Sequence, residues 1–331
     1  MTSTLDLGDA GLEEVVLGEL DDVERRLTDA ASNADPLVQT PSRHLMDAGG
    51  KRLRPVLVML TAHFGSGINE QVRTAAVATE LTHLATLYHD DVMDDAPLRR
   101  GAPSAQHLWG NSIAILTGDL LFAKASRMVS ELGPVAVRIQ AEAFERLVLG
   151  QLHETIGPRE GEEPVDHYLR VLADKTGSLI SAAAHYGTLF SGADEAAVTA
   201  SIAYGEKVGV AFQLADDVID LVSDASTLGK EPGTDLRAGV ATMPVLLLRA
   251  RAAAGTLDEV GASVLRDLDS DDEDVRASTL DRLRSHPVLD EARSMARGWA
   301  ADAVAELDPL PESAAKQALT AFADLLVDRL A

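Results

Sequence analysis

Apolar residues recur at helical spacing along most of this 331-residue chain. Residues 72–92 and 200–222 are typical, because apolar side chains return every three or four positions in both segments. Alanine and leucine dominate these segments, and both residues favour helices. No two segments show the period-two alternation expected of a convincing strand pair. The pattern therefore predicts an all-α protein.

Glycine and proline collect between the predicted helices and mark the points where we expect the helices to end. These clusters lie at residues 49–50, 65–67, 157–158, 229–233 and 309–311. The predicted helices are long, apolar around most of their circumference and joined by short connections. We therefore expect one large helical bundle, a single domain over residues 1–331, with its central helices buried. The acidic run at residues 270–274 is interpreted as a solvated loop or helix end.

Composition narrows the class of partner. The chain is 46% hydrophobic, and its 29 basic residues against 53 acidic ones give a formal net charge of -24, which argues against nucleic acid or anionic lipid. The chain has no cysteine, which excludes disulfides and thiolate metal sites and suits a cytoplasmic location. No apolar run approaches the roughly 18 residues of a membrane span, and no targeting signal is visible. We expect a cytoplasmic protein without stable membrane insertion.

A run of aspartates followed by two arginines, YHDDVMDDAPLRRG, begins at Tyr88. Asp90, Asp91 and Asp94 lie on one arc of a predicted helix near its C-terminal end. Like charges at this spacing destabilise a helix by roughly 0.2–0.5 kcal/mol per pair, and the negative end of the helix dipole adds to the cost. A bound cation would remove the conflict. The alternative is an exposed helix end in an acidic protein.

The same DDxxD pattern returns within an otherwise apolar helix, at Asp216, Asp217 and Asp220. Acids in such a setting are costly unless they are paired. Two such motifs on two buried helices are better explained by shared divalent cations than by coincidence. Oxygen-only ligands favour Mg²⁺, with Mn²⁺ as an alternative. Because Mg²⁺ in proteins is commonly completed by phosphate oxygens, the acids indicate a phosphate-containing ligand.

The basic residues fit such a ligand. Arg99 and Arg100 follow the first motif, and the segment GGKRLRP supplies Lys51 and Arg54, in a chain otherwise poor in cations. Arg52 in the same segment is interpreted as a solvated surface cation. Two further clusters, DKTGS and LGKEPGTDL, place lysines beside groups able to approach a phosphate. Neither has P-loop spacing, so nucleoside-triphosphate chemistry is not supported.

Taken in order, GGKRLRP, HDDVMDDAPLRRG, GNSIAILTGDLL, DKTGSLI, GVAFQLADDVIDLV and LGKEPGTDL resemble the landmarks of the trans-isoprenyl (polyprenyl) diphosphate synthases. The resemblance covers residues 49–244. It implies the all-α isoprenoid synthase fold with a central active-site cavity. It also implies a homodimer that condenses isopentenyl diphosphate with an allylic diphosphate and depends on Mg²⁺.

The resemblance implies a role for each matching residue. The metal ligands would be Asp90, Asp91, Asp94, Asp216, Asp217 and Asp220. The allylic diphosphate would contact Arg99, Lys175 and Lys230, and isopentenyl diphosphate would contact Lys51, Arg54, His83 and Arg100. Thr176 and Gln213 would lie beside the reacting carbons. The expected catalytic set is Asp90, Asp94, Arg99, Lys175, Thr176, Gln213, Asp216 and Lys230. One departure is Val240, at a position where family members commonly have lysine.

Product length is predicted from the two residues four and five positions before Asp90, which are Thr86 and Ala85. In this family bulky aromatic residues at such positions resemble a floor that stops the growing tail, so these small side chains predict a product longer than geranylgeranyl. The alternatives are a short-chain farnesyl or geranylgeranyl synthase, a class I terpene cyclase and a non-catalytic subunit of a synthase. The complete second motif and an aromatic content of only 4% oppose the cyclase, and the intact motifs oppose the non-catalytic subunit.

Overall fold

A computed structural model describes residues 6–222, 233, 236 and 241–327. The prediction of an all-α protein is confirmed, because these residues form α-helices and one minimal pair of strands. The helices before the strands are α1 (Ala10–Ala31), α2 (Pro36–Asp47), α3 (Leu53–Ala62) and α4 (Glu70–Met93). The strands are β1 (Leu98–Arg99) and β2 (Ala102–Pro103). No described helix is both long enough and apolar enough to cross a membrane.

The remaining helices follow the strands. They are α5 (Ala105–Trp109), α6 (Asn111–Glu131), α7 (Pro134–Ile156), α8 (Pro164–Leu172), α9 (Ser178–Ser191) and α10 (Glu195–Val222). A π-helical turn (Ala173–Gly177) connects α8 to α9. The last five are α11 (Met243–Ala253), α12 (Glu259–Asp267), α13 (Glu273–Arg284), α14 (Pro287–Ala305) and α15 (Ala314–Val327).

Backbone contacts divide the chain into two compact units. Unit 1 consists of Met1–Glu145, Ser178–Glu206 and Val304–Phe322. Unit 2 consists of Arg146–Gly177, Lys207–Ala303 and Ala323–Ala331. The expectation of a single domain over residues 1–331 stays a prediction.

The core of unit 1 is built around α3 and α4. Every residue of α3 from Pro55 to Ala62 is buried, and α4 packs against α3, α6 and α9. Gly187 on α9 allows the close approach of α9 to α3. A Cβ atom on Gly187 would lie 2.1 Å from Thr61 Oγ1 and 2.2 Å from the carbonyl oxygen of Val58, so any larger residue would separate the two helices.

The helices end at the predicted glycine and proline clusters wherever the structure describes those clusters. α2 ends just before Gly49 and Gly50, which both have positive φ, and the segments at residues 65–67, 157–158 and 309–311 also lie between helices. Residues 229–232 lie outside the described part of the chain. The acidic run at residues 270–274 is the start of a helix, because Asp272 caps α13 by accepting from the backbone N–H groups of Asp274 and Val275.

The expectation that no strands pair was wrong in one place. β1 and β2 form an antiparallel hairpin, in which Arg99 faces Ala102 and Leu98 faces Pro103. Arg100 and Gly101 form its two-residue turn, with φ of 55° and 76°, the pattern of a type I′ turn. Strands of two residues are too short for any alternation to be read from the sequence.

Candidate active site

The first aspartate motif lies at the C-terminal end of α4, where its spacing predicted it. Asp90 and Asp91 occupy the last turn of α4, and Asp94 is its C-cap residue. Asp91 is fully buried, and burial raises the pKa of its carboxyl group while Arg99 opposes the rise. Arg99 Nε donates to Asp91 Oδ1 at 2.6 Å. The reversal of charge along this segment therefore forms an internal ion pair.

The other carboxylate oxygen of Asp91 fits a divalent cation. Asp91 Oδ2 is buried and accepts no hydrogen bond from any described residue. An orphaned buried acceptor costs about 1–3 kcal/mol, and coordination to a hard cation would remove that cost. No group of three or more His, Asp or Glu side chains is arranged for metal binding within the ranges that the structure describes. Mg²⁺ held by this motif would complete its shell with phosphate and water oxygens, which is its usual mode in proteins.

Three residues assigned to the second substrate come together within unit 1, and we call them the basic cluster: Arg54 on α3, His83 on α4 and Arg100 in the hairpin turn. Burial lowers the pKa of His83 well below its ordinary value, and the charges of Arg54 and Arg100 lower it further. Burial also lowers the pKa of Arg54 to about 10, against the attraction of Glu80. The cluster therefore presents two cations beside a neutral imidazole at pH 7. Lys51 is exposed on the loop before α3.

The interpretation of Arg52 as a solvated surface cation is wrong. Its side chain is only 3% exposed, and its Nε lies 2.5 Å from Glu24 Oε1. Its Nη1 lies 3.2 Å from Oε1 of the equally buried Glu80. Arg52 is the N-cap residue of α3 and has a left-handed backbone, with φ of 52° and ψ of 36°.

Non-glycine residues with a left-handed backbone occur in the segment of the first motif and in the loop before α3. Arg52, Asp95 and Arg100 are the non-glycine residues with positive φ in the described part of the chain. This conformation is disfavoured by roughly 1–2 kcal/mol for an L-residue, and it persists where the surroundings enforce it, often at functional sites. All three residues lie in the two segments that the sequence had singled out for ligand binding.

The second aspartate motif lies near the C-terminal end of α10, within unit 2. Gln213 shares a helix face with the aspartates, because Asp216, Asp217 and Asp220 follow it at three, four and seven positions. Asp217 is buried and accepts from Tyr168 Oη at 2.9 Å and from the backbone N–H of Met243 at 3.0 Å. The Tyr168 contact spans 49 positions, and no local pattern in the sequence points to it.

Lys175 and Thr176 lie in the π-helical turn of unit 2, a form that often marks functional sites. Lys175 Nζ lies 2.5 Å from Glu154 Oε2, and Thr176 is buried. Gly150 on α7 permits this arrangement, because a Cβ atom there would lie 2.6 Å from the backbone nitrogen of Lys175. Lys230 and Val240 lie outside the described residues.

The two residues predicted to control product length are both buried in unit 1. Ala85 and Thr86 lie on α4 and are 1% and 5% exposed. Further towards the N-terminus of α4, a small cavity lies beside the helix. Its lining residues are Ala78, Thr79, Thr82, Val129, Gln140, Leu179, Ala182 and Tyr186. One buried face of α4 therefore carries the small side chains of Ala78, Thr82, Ala85 and Thr86, while Leu81, Leu84 and Tyr88 are buried on other faces.

Comparison with known proteins decides the family. A family model described as polyprenyl synthetase matches residues 35–278, which is more than half of the chain. The chain belongs to the polyprenyl synthetase family. It is 44% identical to the nonaprenyl diphosphate synthase of Mycobacterium tuberculosis, over 98% of this chain and 96% of that protein.

Solved structures of family members support the same assignment. A geranylgeranyl pyrophosphate synthase from Corynebacterium glutamicum, complexed with calcium and isoprenyl diphosphate, matches with a TM-score of 0.84 at 39% identity and covers 98% of both chains. A decaprenyl diphosphate synthase from Rhodobacter capsulatus matches with a TM-score of 0.84 at 31% identity, over 97% of this chain and 98% of that one. The resemblance to long-chain trans-isoprenyl diphosphate synthases and the all-α isoprenoid synthase fold are confirmed.

The lowered pKa of His83 predicts how stability depends on pH. The unfolded chain takes up a proton on this residue near its ordinary pKa of 6.5, whereas the folded protein resists protonation. Stability from this source is therefore present above pH 6.5 and falls as the pH drops below it. When the pH is lowered from about 7.5 to about 5.5, the melting temperature of His83→Gln should fall less than that of the wild type. Differential scanning calorimetry would measure both.

His63 provides the control for this prediction, because burial lowers its pKa in the same direction but less strongly. His63→Gln should remove a smaller part of the acid sensitivity. Equal pH dependence in His83→Gln and the wild type would show that His83 does not resist protonation in the folded protein.

Proposed function

We propose that this protein is a trans-polyprenyl diphosphate synthase that joins isopentenyl diphosphate head-to-tail to an allylic diphosphate. The observation that carries the proposal is the arrangement within unit 1. There the buried Asp91 has one carboxylate oxygen that accepts no hydrogen bond from any described residue, and it lies on the same helix as His83 of the basic cluster. Carboxylates for a metal and cations for phosphate oxygens are the two parts that diphosphate chemistry requires. The family membership and the names of the relatives support this reaction.

We propose that both aspartate motifs bind Mg²⁺, for which Mn²⁺ could substitute. The ligands would be Asp90, Asp91, Asp94, Asp216, Asp217 and Asp220. When bound, Mg²⁺ supplies Lewis-acid stabilisation of the negative charge on departing pyrophosphate. The calcium in the corynebacterial structure supports a divalent ion in such proteins, and carboxylate ligands without sulfur favour a hard ion.

The cations of the chain would hold and orient the two diphosphates. Arg99, Lys175 and Lys230 would contact the allylic diphosphate. Arg99 and Lys175 each have a carboxylate partner in this structure, at Asp91 and Glu154, so each would exchange that partner for a phosphate oxygen. Lys51, Arg54, His83 and Arg100 would hold isopentenyl diphosphate. His83, kept neutral by its surroundings, would act as a hydrogen-bonding group and not as a cation.

The carbon chemistry needs stabilisation of positive charge and exclusion of water. The allylic carbon–oxygen bond breaks, and the pyrophosphate leaves with the electron pair. The double bond of isopentenyl diphosphate attacks the allylic cation, and one proton is lost, for which the departing pyrophosphate is a sufficient acceptor. The side-chain oxygens of Thr176 and Gln213 would stabilise the developing cation, and no dedicated side-chain base is required.

We propose that the product is longer than geranylgeranyl. The small buried side chains of Ala85 and Thr86 support this length, and a small cavity lined by Thr82, Gln140 and Tyr186 lies further along α4. The nonaprenyl and decaprenyl names among the relatives agree with it. A geranylgeranyl synthase is also among the similar structures, so a shorter product is the alternative.

We propose a homodimer, supported by apolar surface on α6 and α7. Ile113 and Leu116 are exposed on α6, and Val137, Val148 and Leu152 follow one exposed face of α7. Large apolar side chains grouped on a helix face are typical of surfaces that are covered by a partner.

The first prediction of the proposed function is that purified protein with Mg²⁺ elongates an allylic diphosphate. Incubation with isopentenyl diphosphate and farnesyl or geranylgeranyl diphosphate should give a ladder of prenyl diphosphates ending beyond geranylgeranyl, as mass spectrometry of the extracted lipids would show. Chelation of divalent ions should abolish the reaction, and Asp91→Asn should slow it by about a hundred-fold or more. Cyclic hydrocarbon products, or no turnover, would refute the proposal in favour of a cyclase or a non-catalytic subunit.

The second prediction concerns product length. Ala85→Phe should shorten the longest product, because a phenyl ring in place of a buried methyl group would block the path along α4. The smaller change Ala85→Leu should act in the same direction. Ala301→Phe, at an exposed position of α14, is the control and should leave the products unchanged. An unaltered length distribution in folded Ala85→Phe would refute this role of Ala85.

The third prediction concerns assembly. Light scattering should give a mass of twice the 35.0 kDa chain for the wild type. Leu116→Glu should give the monomer mass, because a carboxylate buried in an apolar interface is costly. Leu37→Glu, at an 85% exposed position of α2, should remain dimeric. A monomeric wild type would contradict the proposal.

A further inference from the structure

The guanidinium group of Arg52 has no donor to spare for a substrate. Arg52 Nε donates to Glu24, Nη1 donates to Gly49 O and to Glu80, and Nη2 donates to Glu24 and to Met46 O. An arginine side chain carries five N–H donors. The five hydrogen bonds of Arg52 therefore occupy all of them. Arg52 therefore acts on other parts of the protein and not on a ligand.

Its contacts converge on the segment that carries the substrate-binding residues. Arg52 connects α1 through Glu24, the end of α2 through Met46 and the following turn through Gly49. Arg100 of the basic cluster also donates to Gly49 O and donates to Leu45 O at 2.8 Å. The same carbonyl group thus fixes the position of Arg100 relative to Arg52.

Gly50 shows how closely these two arginines approach the turn. A Cβ atom on Gly50 would lie 2.7 Å from Arg52 Nη1 and 2.9 Å from Arg100 Cζ. Two guanidinium groups this near to one another repel: burial lowers the pKa of Arg100, and the charge of Arg52 lowers it further. The arrangement therefore needs a negative charge nearby.

Glu80 is that negative charge. It is 1% exposed. Its charge helps to raise the pKa of Arg52 against burial, and it opposes the lowering of the pKa of Arg54 and Arg100 that burial causes. Glu80 Oε1 accepts from Arg52, whereas Glu80 Oε2 and Arg54 Nε are both buried and have no hydrogen-bond partner among the described residues. Glu80 thus helps to compensate three arginines, two of which belong to the basic cluster, while Glu24 shares the compensation of Arg52.

We propose that Arg52 and Glu80 are a positioning pair for the binding of isopentenyl diphosphate, an inference that rests on the proposed function of the basic cluster. Arg52 fixes the turn at Gly49 through its hydrogen bonds, and the charge of Glu80 offsets part of the repulsion among Arg52, Arg54 and Arg100. Neither residue touches the substrate. Because the pair serves one diphosphate, its loss should weaken the binding of isopentenyl diphosphate and leave that of the allylic substrate unaffected.

The test uses Arg52→Gln, the nearly isosteric Glu80→Gln and the double variant. Each single change should raise the KM for isopentenyl diphosphate by about ten-fold, since a small displacement of binding groups has a large effect. The double variant should resemble the more severe single variant, because contacting residues are not additive. The KM for farnesyl diphosphate and kcat should stay within about three-fold of wild type.

The matched control is Arg73→Gln. Arg73 on α4 donates to Glu19 on α1 through Nε and Nη2, both at 2.6 Å. This pair joins α1 and α4, the two helices whose glutamates accept from Arg52, but it lies outside the basic cluster. Arg73→Gln should lower the melting temperature and leave all kinetic constants unchanged. If Arg52→Gln and Glu80→Gln behave in the same way, the pair is only structural and the inference is wrong.

Two further outcomes would overturn the inference. Effects that multiply in the double variant would show that the residues act separately. An equal loss for both substrates would show a general disturbance of the fold. Arg52→Lys, which can keep one carboxylate contact, should recover part of the lost affinity for isopentenyl diphosphate.

A binding measurement separates this inference from the proposed function. Calorimetric titration of isopentenyl diphosphate in the presence of EDTA removes metal-dependent binding and reports on the cations of the chain. Weaker binding in Arg52→Gln and Glu80→Gln, beside unchanged binding in Arg73→Gln, would support the positioning pair even if the wild type makes no prenyl product. Wild-type protein that does not bind isopentenyl diphosphate would refute the inference directly.

Discussion

Charge inside unit 1 is tolerated because the buried carboxylate of Glu80 meets the guanidinium of Arg52. Helix α4 carries Glu80, His83 and Asp91 through a core that is otherwise apolar, and an isolated charge in such surroundings would be strongly destabilising. Each of these groups is instead compensated. Glu80 is paired with Arg52, Asp91 is paired with Arg99, and His83 stays neutral. The chemistry proposed for this unit depends on the same buried charges that its packing has to accommodate.

The hairpin and the loop before α3 position the arginines that compensate these buried charges. Arg99 reaches the aspartate motif and Arg100 reaches the carbonyl of Gly49, so adjacent residues serve two different regions of unit 1. In unit 2, Asp217 of α10 is held in a comparable way by a tyrosine hydroxyl and a backbone N–H. In each motif one buried carboxylate, Asp91 or Asp217, is therefore held by groups outside the motif.

The sequence predicted the helices, their ends and the placement of both motifs, because apolar periodicity and glycine or proline punctuation are local properties. It did not reveal the hairpin, whose strands are too short for a pattern. It also assigned Arg52 to the surface, because its partners Glu24 and Glu80 are each 28 positions away. The contact of Tyr168 with Asp217 was missed for the same reason. Composition and spacing identify groups that can bind ligands, but the partners that hold those groups are set by tertiary packing.

The backbone conformation of Arg52 indicates how much its side chain contributes to the stability of the fold. A left-handed conformation is taken freely by glycine and disfavoured by roughly 1–2 kcal/mol for other residues, and two glycines stand just before this position. A third glycine would relieve the conformation and remove the guanidinium. The five hydrogen bonds of its side chain, at about 0.5–1.5 kcal/mol each, outweigh the unfavourable torsion. Position 52 is thus one at which a mutation that relaxes the backbone would be harmful.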